Sequence, residues 1–243
     1  MVDESKLLVG GYLAVNNKLK IIHPTLREII DFGEDRYFNA INLFTLKPYD
    51  LMVQLDDMGI DYIELSNYDL FILLWQSQQY QDGLNWLMND IFDFKLYKDN
   101  VNNMYLLYDE NKDVKIDIVT YALISEFIKK INMVSDKTQF NPANKGARKF
   151  IIDNERRKQK RNQKKKEQYE SQLSNLISAL VWGNTSGINY NNVLDLYAYQ
   201  FFNGISRLQK VKEYNNLMNG YYTGTIDLKN TSQEEINWLS KLN

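Results

Sequence analysis

The chain of 243 residues contains no cysteine, one histidine (His23) and only three prolines. The absence of cysteine excludes disulfides, thiolate nucleophiles and cysteine-ligated zinc or iron–sulfur sites. A single histidine excludes multi-histidine metal sites, and with no cysteine or serine elbow around it His23 forms no catalytic triad. Because prolines are so few, long helices are permitted. We therefore expect a mostly helical protein that is not an enzyme.

Long apolar runs are also missing. The longest unbroken run, residues 70–75, has six residues, whereas a membrane helix needs roughly 20. Asp3 and Glu4 stand where a secretory signal would carry positive charge. The proportions of hydrophobic (44%) and charged (25%) residues are those of an ordinary globular protein. We expect a soluble protein that stays in a cytoplasm and has no membrane partner.

The net charge of −2 is unevenly distributed along the chain. Residues 145–166 contain eleven of the 29 Lys and Arg residues and two acids, which gives this stretch +9 and the remainder −11. Such a stretch predicts either an electrostatic contact with an acidic protein or nucleic acid, or a solvated linker helix. Its densest part contains eight bases: Arg156, Arg157, Lys158, Lys160, Arg161, Lys164, Lys165 and Lys166. No aromatic residue is interleaved to stack on bases, so we favour a linker or a protein contact over nucleic acid.

Helix signals follow one another through the N-terminal part, after a predicted hairpin over residues 12–22. Pro24 suits the first position of a helix ending near Gly33, and a second helix is predicted over about 34–46. Pro48 opens a third, which ends at a left-handed cap on Gly59.

A fourth helix is predicted where Ser66 and Asp69 resemble a capping box ahead of the apolar run 70–75. The run is too apolar to face water, so we expect it to be the central helix of the core. A shorter helix carrying Trp86 is expected after it.

The period then changes from helical to alternating. Phe92, Phe94 and Leu96 alternate with polar residues, a second strand is expected over residues 104–108, and a further alternating stretch follows at 114–118. This pattern predicts a small antiparallel β meander inserted at about 91–118. From Ile118 onward the apolar spacing returns to that of a helix.

The C-terminal part is predicted to be helical. Asn141 and Pro142 form a helix-start signal, and residues 153–172 contain one aromatic, Tyr169, and no aliphatic side chain. A packed helix is expected from Leu173, and a final capping box pairs Ser232 with Glu235. The strongest helical stripe of the chain contains Leu194, Tyr197, Phe201, Ile205, Leu208, Val211, Tyr214 and Met218.

Together these patterns predict a mainly α protein with a small antiparallel β meander. An α+β unit is expected over residues 1–140, with the meander at about 91–118. A basic linker helix over 141–168 then leads to an all-α unit over 169–243. Residues 153–168 should be mobile or solvent-exposed, because they have almost nothing to bury.

Candidate metal and phosphate motifs are incomplete. Asp109, Asn111 and Asp113 have the spacing that opens an EF-hand loop, but Val114 and Thr120 occupy its glycine and glutamate positions, so a hairpin turn is the better interpretation. The sequence also lacks the glycine-rich motifs that cradle phosphates, and residues 220–224 indicate a helix C-cap and turn. We expect no catalytic residue, no metal site and no cofactor.

Three acids, Asp56, Asp57 and Asp61, cluster around Gly59. Carboxylates grouped in this way can support acid–base chemistry or bind a divalent metal. No histidine is near, and Asp is slightly unfavourable at a helix C-terminus. We therefore expect a local or partner-related reason for the cluster.

Aromatic residues are abundant, with 17 tyrosines and four tryptophans. Most must lie in the core, but aromatic side chains are also favoured at protein interfaces. We expect the last long helix to supply part of a partner-binding surface. The candidate residues are Tyr197, Phe201, Tyr214, Met218, Tyr221 and Tyr222.

Three stretches, residues 23–35, 48–61 and 208–227, resemble proteins encoded among the tail genes of tailed phages and prophages of Gram-positive bacteria. The resemblance covers nearly the whole chain, including the basic stretch. It implies a tail assembly chaperone of a siphophage-type tail, which binds the tape-measure protein, the tail-tube protein or both in the host cell cytoplasm. Proteins of this role are usually absent from the finished particle, and some are extended by frameshifting. The alternative is a structural virion protein of the tail, neck or baseplate, and homo-oligomer formation stays open.

Overall fold

The computed structural model describes residues 4–99, 104–135, 142, 144–163, 171–232 and 236–242. The helices of the N-terminal part are α1 (Glu4–Leu7), α2 (Leu26–Phe32), α3 (Glu34–Thr45), α4 (Met52–Asp57), α5 (Asn67–Trp75), α6 (Gln78–Met88) and α7 (Ile118–Ile131). Three longer helices follow: α8 (Lys145–Gln163), α9 (Gln172–Gly183) and α10 (Ala198–Tyr222). The five strands are β1 (Tyr12–Ala14), β2 (Lys20–Ile22), β3 (Lys95–Asp99), β4 (Met104–Asp109) and β5 (Val114–Ile116).

The strands form two small antiparallel sheets. Strands β1 and β2 make a hairpin in which Tyr12 pairs with Ile22. Strands β3, β4 and β5 form a meander in that order, with Leu107 of β4 pairing both Leu96 and Ile116. The structure thus confirms a mainly α fold with a small antiparallel meander, and it confirms the predicted hairpin.

One large buried core joins most of these elements. Tyr37 and Phe44 of α3, Phe71 of α5 and Ile124 of α7 lie in it, and so does Phe201 at the start of α10. Helix α9 adds a stripe of side chains to the same core: Leu173, Ile177 and Leu180. Residues from both sides of the basic stretch therefore share one core, and the division into units over 1–140 and 169–243 stays a prediction.

The N-terminal segment is hydrogen-bonded to the residues that precede α10. Thr25 and Tyr197 form an isolated antiparallel bridge. The backbone N–H of Leu26 donates to the carbonyl of Leu196 at 2.9 Å, and that of Ala198 donates to the carbonyl of Pro24 at 2.8 Å. This short, strand-like contact fixes the start of α10 against α2.

Several helix boundaries match the sequence signals. Gly33 has φ of 104° and ends α2, and Gly59 has φ of 73° after α4. Glycine has no Cβ, so it adopts these left-handed conformations without strain. The Ser66 hydroxyl accepts the backbone N–H of Asp69 and caps α5, as its spacing predicted.

Two other helices begin at different residues from those the sequence predicted. Helix α2 begins at Leu26, because Thr25 caps it in a reciprocal capping box with Glu28, and Pro24 lies before the cap. Pro48 opens a short 3₁₀ turn (Pro48–Leu51) that leads into α4.

The basic helix α8 also begins later than predicted. Its first residue is Lys145, and the Asn144 side chain accepts the N–H of Ala147 at 2.9 Å. The predicted cap, Asn141, lies outside the described residues, as does Glu235 of the final capping box.

The first strand of the meander is shorter than its alternation suggested. Strand β3 begins at Lys95, so Phe92 and Phe94 precede it and stack on each other, with ring centroids 5.1 Å apart. Their segment is held by side chains instead of a neighbouring strand. The N–H of Phe92 donates to Asn85 Oδ1, and the N–H of Asp93 donates to Asp109 Oδ2.

Across the described ranges, we find no helix with the length and apolarity needed to cross a membrane.

Candidate protein-binding surfaces

Helix α10 is anchored at its first turn, packs on the main core as far as Leu208, and is more exposed beyond it. Its 25 residues extend for about 37 Å at the usual rise of about 1.5 Å per residue. Ala198, Tyr199 and Phe201 in its first turn are buried, whereas every residue from 202 to 222 is half-buried or exposed. The second half of the helix therefore presents side chains that the rest of the described chain covers only in part.

The six predicted partner-binding residues do not form one surface. Tyr197 and Phe201 lie at the anchored end, where Phe201 is fully buried and belongs to the core. The Tyr197 ring lies 5.2 Å from the ring of His23 and is packed so closely on Gly10 that a Cβ there would overlap it. Phe201 is therefore part of the core, and Tyr197 is half-buried between His23 and Gly10 at the anchored end of the helix.

The other four residues lie at the far end of α10. Tyr214 and Met218 are half-buried, while Tyr221 is 47% exposed and Tyr222 is 76% exposed. The two terminal tyrosine rings lie 5.7 Å apart. Positions 214, 218, 221 and 222 follow the i, i+4, i+7, i+8 spacing of one helical face. We call these four residues the distal face of α10.

The end of α10 is held by a fold-back of the chain, which confirms the predicted cap and turn. The N–H groups of Thr225 and Ile226 both donate to the carbonyl of Gly220, at 2.9 and 3.1 Å. The Ile226 side chain packs directly on Gly220, where a Cβ would overlap it, and Gly224 has φ of 73°. Tyr221 and Tyr222 are thus presented on an ordered helix end.

A second aromatic pair is exposed at the end of α9. Trp182 is 78% exposed, and its indole N–H donates to the Tyr190 hydroxyl at 3.2 Å. Sequence reasoning missed this pair, because Trp182 is outside the buried α9 stripe. The available signal was a tryptophan directly before Gly183, off the core-facing side of the helix.

The described residues of the C-terminal tail lie along the middle of α10. The Arg207 guanidinium donates to the carbonyls of Trp238 and Ser240. Lys210 donates to the Ser240 hydroxyl and to the Lys241 carbonyl. These contacts of the described tail residues involve Arg207 and Lys210 and do not reach the distal face.

The acidic cluster and the basic stretch meet in the structure. Arg156 pairs with Asp56 at 2.8 Å and with Asp57 at 2.7 Å, and Arg148 pairs with Asp61. The two hydrogen-bonded carboxylates raise the pKa of Arg156. The three acids therefore have a structural role within the chain, because they bind two arginines of helix α8.

The other seven bases of the densest part of the basic stretch do not contact the acidic cluster or lie outside the described residues. Arg157, Lys158, Lys160 and Arg161 are exposed along α8, and Lys158 pairs with Glu155. Lys164, Lys165 and Lys166 lie outside the described residues. Arg156 is half-buried against its carboxylate partners, and the prediction that residues 153–168 are mobile or solvent-exposed stays a prediction.

The residues with EF-hand spacing form a hairpin turn between β4 and β5. Asp109 is buried and accepts the N–H groups of Lys112 and Asp93 at 3.0 and 2.8 Å. Burial alone would raise the pKa of Asp109, but these backbone hydrogen bonds outweigh it and lower the pKa. Asp113 pairs with Lys18 of the other hairpin at 2.8 Å.

Within the ranges that the structure describes, no three His, Asp or Glu side chains are grouped to hold a metal.

His23 is buried and serves the fold. Its Nε2 accepts the backbone N–H of Tyr199 at 3.0 Å, and burial lowers its pKa to about 4. The imidazole is therefore neutral at physiological pH.

Comparison with known protein families matches the C-terminal third of the chain. Residues 162–243 match the family model described as the YomV second domain, a phage-derived family of the Bacillus prophage type. No curated protein and no solved structure matches the chain. The matched residues include all of α9 and α10 and so contain the distal face. The C-terminal third is thus similar to a phage-derived domain, and this supports a phage protein.

Proposed function

We propose that the protein is a phage tail assembly chaperone. It binds the tape-measure protein, the tail-tube protein or both in the host cytoplasm, and it does so through the distal face of α10. The observation that carries the proposal is the exposed, ordered aromatic end of a helix in the region similar to a phage-derived domain. The sequence resemblance to tail-gene proteins supplies the role.

The distal face has the chemistry of a protein-binding surface. Tyrosine buries a large apolar area at low cost in side-chain entropy, and methionine adapts to irregular partner surfaces. A helix with this spacing suits docking against a second amphipathic helix. The terminal tyrosines also retain a hydroxyl for a polar partner group.

Binding, without catalysis, is the activity we propose. His23 is the only histidine, and its Nε2 is engaged with the Tyr199 backbone inside the fold. The clustered acids around Gly59 are paired with arginines of α8. These groups serve structural contacts, and shielding a partner's apolar surface needs no reacting group.

The direct test is co-purification with the tape-measure and tail-tube proteins encoded in the same tail-gene cluster. The chain should retain at least one of them, and Tyr221→Ala and Tyr222→Ala should weaken retention. Tyr105→Ala is the matched control, because Tyr105 is 48% exposed but lies on β4, away from α10. Equal retention by all variants would contradict binding through the distal face.

Mass spectrometry of purified particles tests the chaperone role itself. We expect the protein in infected cells and its absence from finished particles. Its presence at a fixed stoichiometry in particles would instead assign it to the tail, neck or baseplate as a structural protein.

A further inference from the structure

A second hydrophobic cluster lies apart from the main core, on α4. Its buried members are Met52, Val53, Leu55, Tyr62, Leu70 and Ile152. Among these, only Ile152 comes from α8, and Ile151 beside it is half-buried and also packs against the cluster. The other five belong to residues 52–70. These five residues form an apolar groove, which we call the α4 groove. Helix α8 packs into it from a later part of the chain.

The contact between α8 and this groove has a simple pattern. Arg148, Ile152 and Arg156 are spaced by four residues and so lie along one side of the helix. Ile152 enters the apolar cluster, and the two arginines pair with Asp61 at one end and with Asp56 and Asp57 at the other. The groove thus recognises an Arg-x₃-Ile-x₃-Arg helix by shape and charge.

Helix α8 is held by few side chains. Of its residues from 145 to 162, Ile152 alone is buried. The arginine contacts are partly exposed to solvent, and such ion pairs are weak and screened by salt. A 19-residue helix held in this way can exchange with a competitor of the same pattern.

The fit of α8 in the groove is also incomplete. The Tyr62 hydroxyl and the Arg148 Nε are buried at this contact without a hydrogen-bond partner. Tyr62 is only 6% exposed. An unpaired buried polar group is costly, so a helix offering a partner to the Tyr62 hydroxyl gains over α8.

The charge of the groove favours a cationic helix over other ligands. Asp56 and Asp57 are the last two residues of α4, where the helix dipole is negative and acids are unfavourable. Asp61 adds a third carboxylate close by. A nucleic acid is repelled by these charges, whereas arginines at both ends of a ligand helix compensate them.

We propose that the α4 groove is a docking site for a basic amphipathic helix of a partner protein, and that α8 occupies this site within the free chain. The partner helix has the pattern Arg-x₃-aliphatic-x₃-Arg and displaces α8 when it binds. The site is distinct from the distal face of α10 and does not depend on the chaperone role. Displacement also releases Arg148 and Arg156 from their carboxylate partners.

The test uses the full chain and a labelled peptide with the sequence of residues 145–163. The double variant Ile152→Asp, Arg156→Glu should release α8 and open the groove. Fluorescence anisotropy should show the peptide binding this variant at least about tenfold more tightly than the unaltered chain, because the free groove is no longer occupied. Adding Asp56→Asn and Asp57→Asn should abolish the gain, and added salt should weaken binding.

Two controls keep the result interpretable. Arg157→Glu makes the same charge change as Arg156→Glu, but on the exposed side of α8, and should leave peptide binding as weak as in the unaltered chain. If the double variant loses its circular dichroism signal, the milder Arg148→Ala, Arg156→Ala pair replaces it.

Three outcomes would overturn the proposal. The first is a folded, open variant that does not bind the peptide, and the second is equal binding by the open variant and the unaltered chain. The third is a dimer of the unaltered chain that is lost in the open variant, which would assign the groove to α8 of a second copy.

Discussion

The imidazole Nε2 of His23 accepts a hydrogen bond from the backbone N–H of Tyr199, 176 residues further along the chain. This bond joins the end of the N-terminal hairpin to the first turn of α10, next to the Thr25–Tyr197 bridge. It requires a neutral imidazole, because a protonated Nε2 is a donor and cannot accept. The attachment of α10 is therefore sensitive to pH.

We expect acid to weaken the fold through His23. Burial lowers the pKa of His23 from 6.5 to about 4, so between these values the unfolded chain binds a proton that the folded chain does not. Its contribution to stability is complete above pH 6.5 and is lost as the pH falls toward 4, with a slope of up to about 1.4 kcal/mol per pH unit.

The measurement is the free energy of unfolding in urea at pH 7 and pH 5. His23→Gln is the control, because its side-chain oxygen can still accept a hydrogen bond but does not titrate in this range. The unaltered chain should lose about 2 kcal/mol more than the variant between the two pH values. An equal loss would show that other groups cause the acid sensitivity.

Two glycines in helices should respond to alanine in opposite directions. A Cβ at Gly83 of α6 would lie 2.7 Å from the Cβ of Ala40 of α3, so Gly83→Ala should force these helices apart and destabilise by about 1–3 kcal/mol. A Cβ at Gly204 of α10 would meet Leu180 at an ordinary 3.7 Å. Gly204→Ala should therefore stabilise by about 0.5–1 kcal/mol through helix propensity.

Thermal unfolding of both glycine variants measures these effects side by side. The melting temperature should fall for Gly83→Ala and rise for Gly204→Ala. A rise at Gly83 would mean that α3 and α6 are not packed as closely as the structure has them.

The exposed tyrosines of the distal face should matter for binding and hardly at all for folding. Tyr221→Ala and Tyr222→Ala remove exposed side chains that lie outside the core, so each should change the free energy of unfolding by less than about 0.5 kcal/mol. If the face is a binding hot spot, each should cost on the order of 2 kcal/mol in affinity for the tail partner, which is roughly a thirtyfold weaker dissociation constant. Calorimetric titration with the co-purified partner checks this.

Limited trypsinolysis should cut first within α8, at exposed bases between Arg157 and Arg161. Arg156 is partly covered by its contacts with Asp56 and Asp57, so cleavage after it should be slower. Raising the salt concentration should accelerate cleavage throughout the helix, because ionic strength screens the contacts that hold it. Early cleavage elsewhere with α8 intact would contradict a weakly held helix.

Local periodicity predicted many of the elements. The apolar run of residues 70–75 and the stripe from Leu173 bury their apolar side as the spacing indicated. The helix expected from Ile118 also forms, but Val119 and Leu123 of its apolar stripe are exposed, and Phe127 is buried. These signals succeed because a helix or strand must bury the face that its own sequence makes apolar. Some boundaries of helices and strands were predicted wrongly, such as those near Pro24 and Phe92. They depend on side-chain hydrogen bonds, which the spacing of apolar residues does not encode.

The candidate sites were harder to predict, since they depend on contacts between distant residues. The acids around Gly59 and the basic stretch were both visible in the sequence, but the pairing of Asp56 with Arg156 spans 100 residues. The charge pattern alone does not show which acids and bases, far apart in the sequence, pair in the folded chain. Tyr197 and Phe201 share the stripe of Tyr214 and Met218, yet only the folded chain separates the buried end of α10 from its free end.

The strand-like contact between Thr25 and Tyr197 has a consequence for how the protein is made. The residues that pair with Leu26 and Pro24 leave the ribosome after most of the chain. Until then, the nascent N-terminal part lacks Phe201 and the α9 stripe and exposes the core surface that they cover. Such late, long-range closure slows folding and leaves an aggregation-prone intermediate. The protein would thus need its own apolar surface to be protected during synthesis.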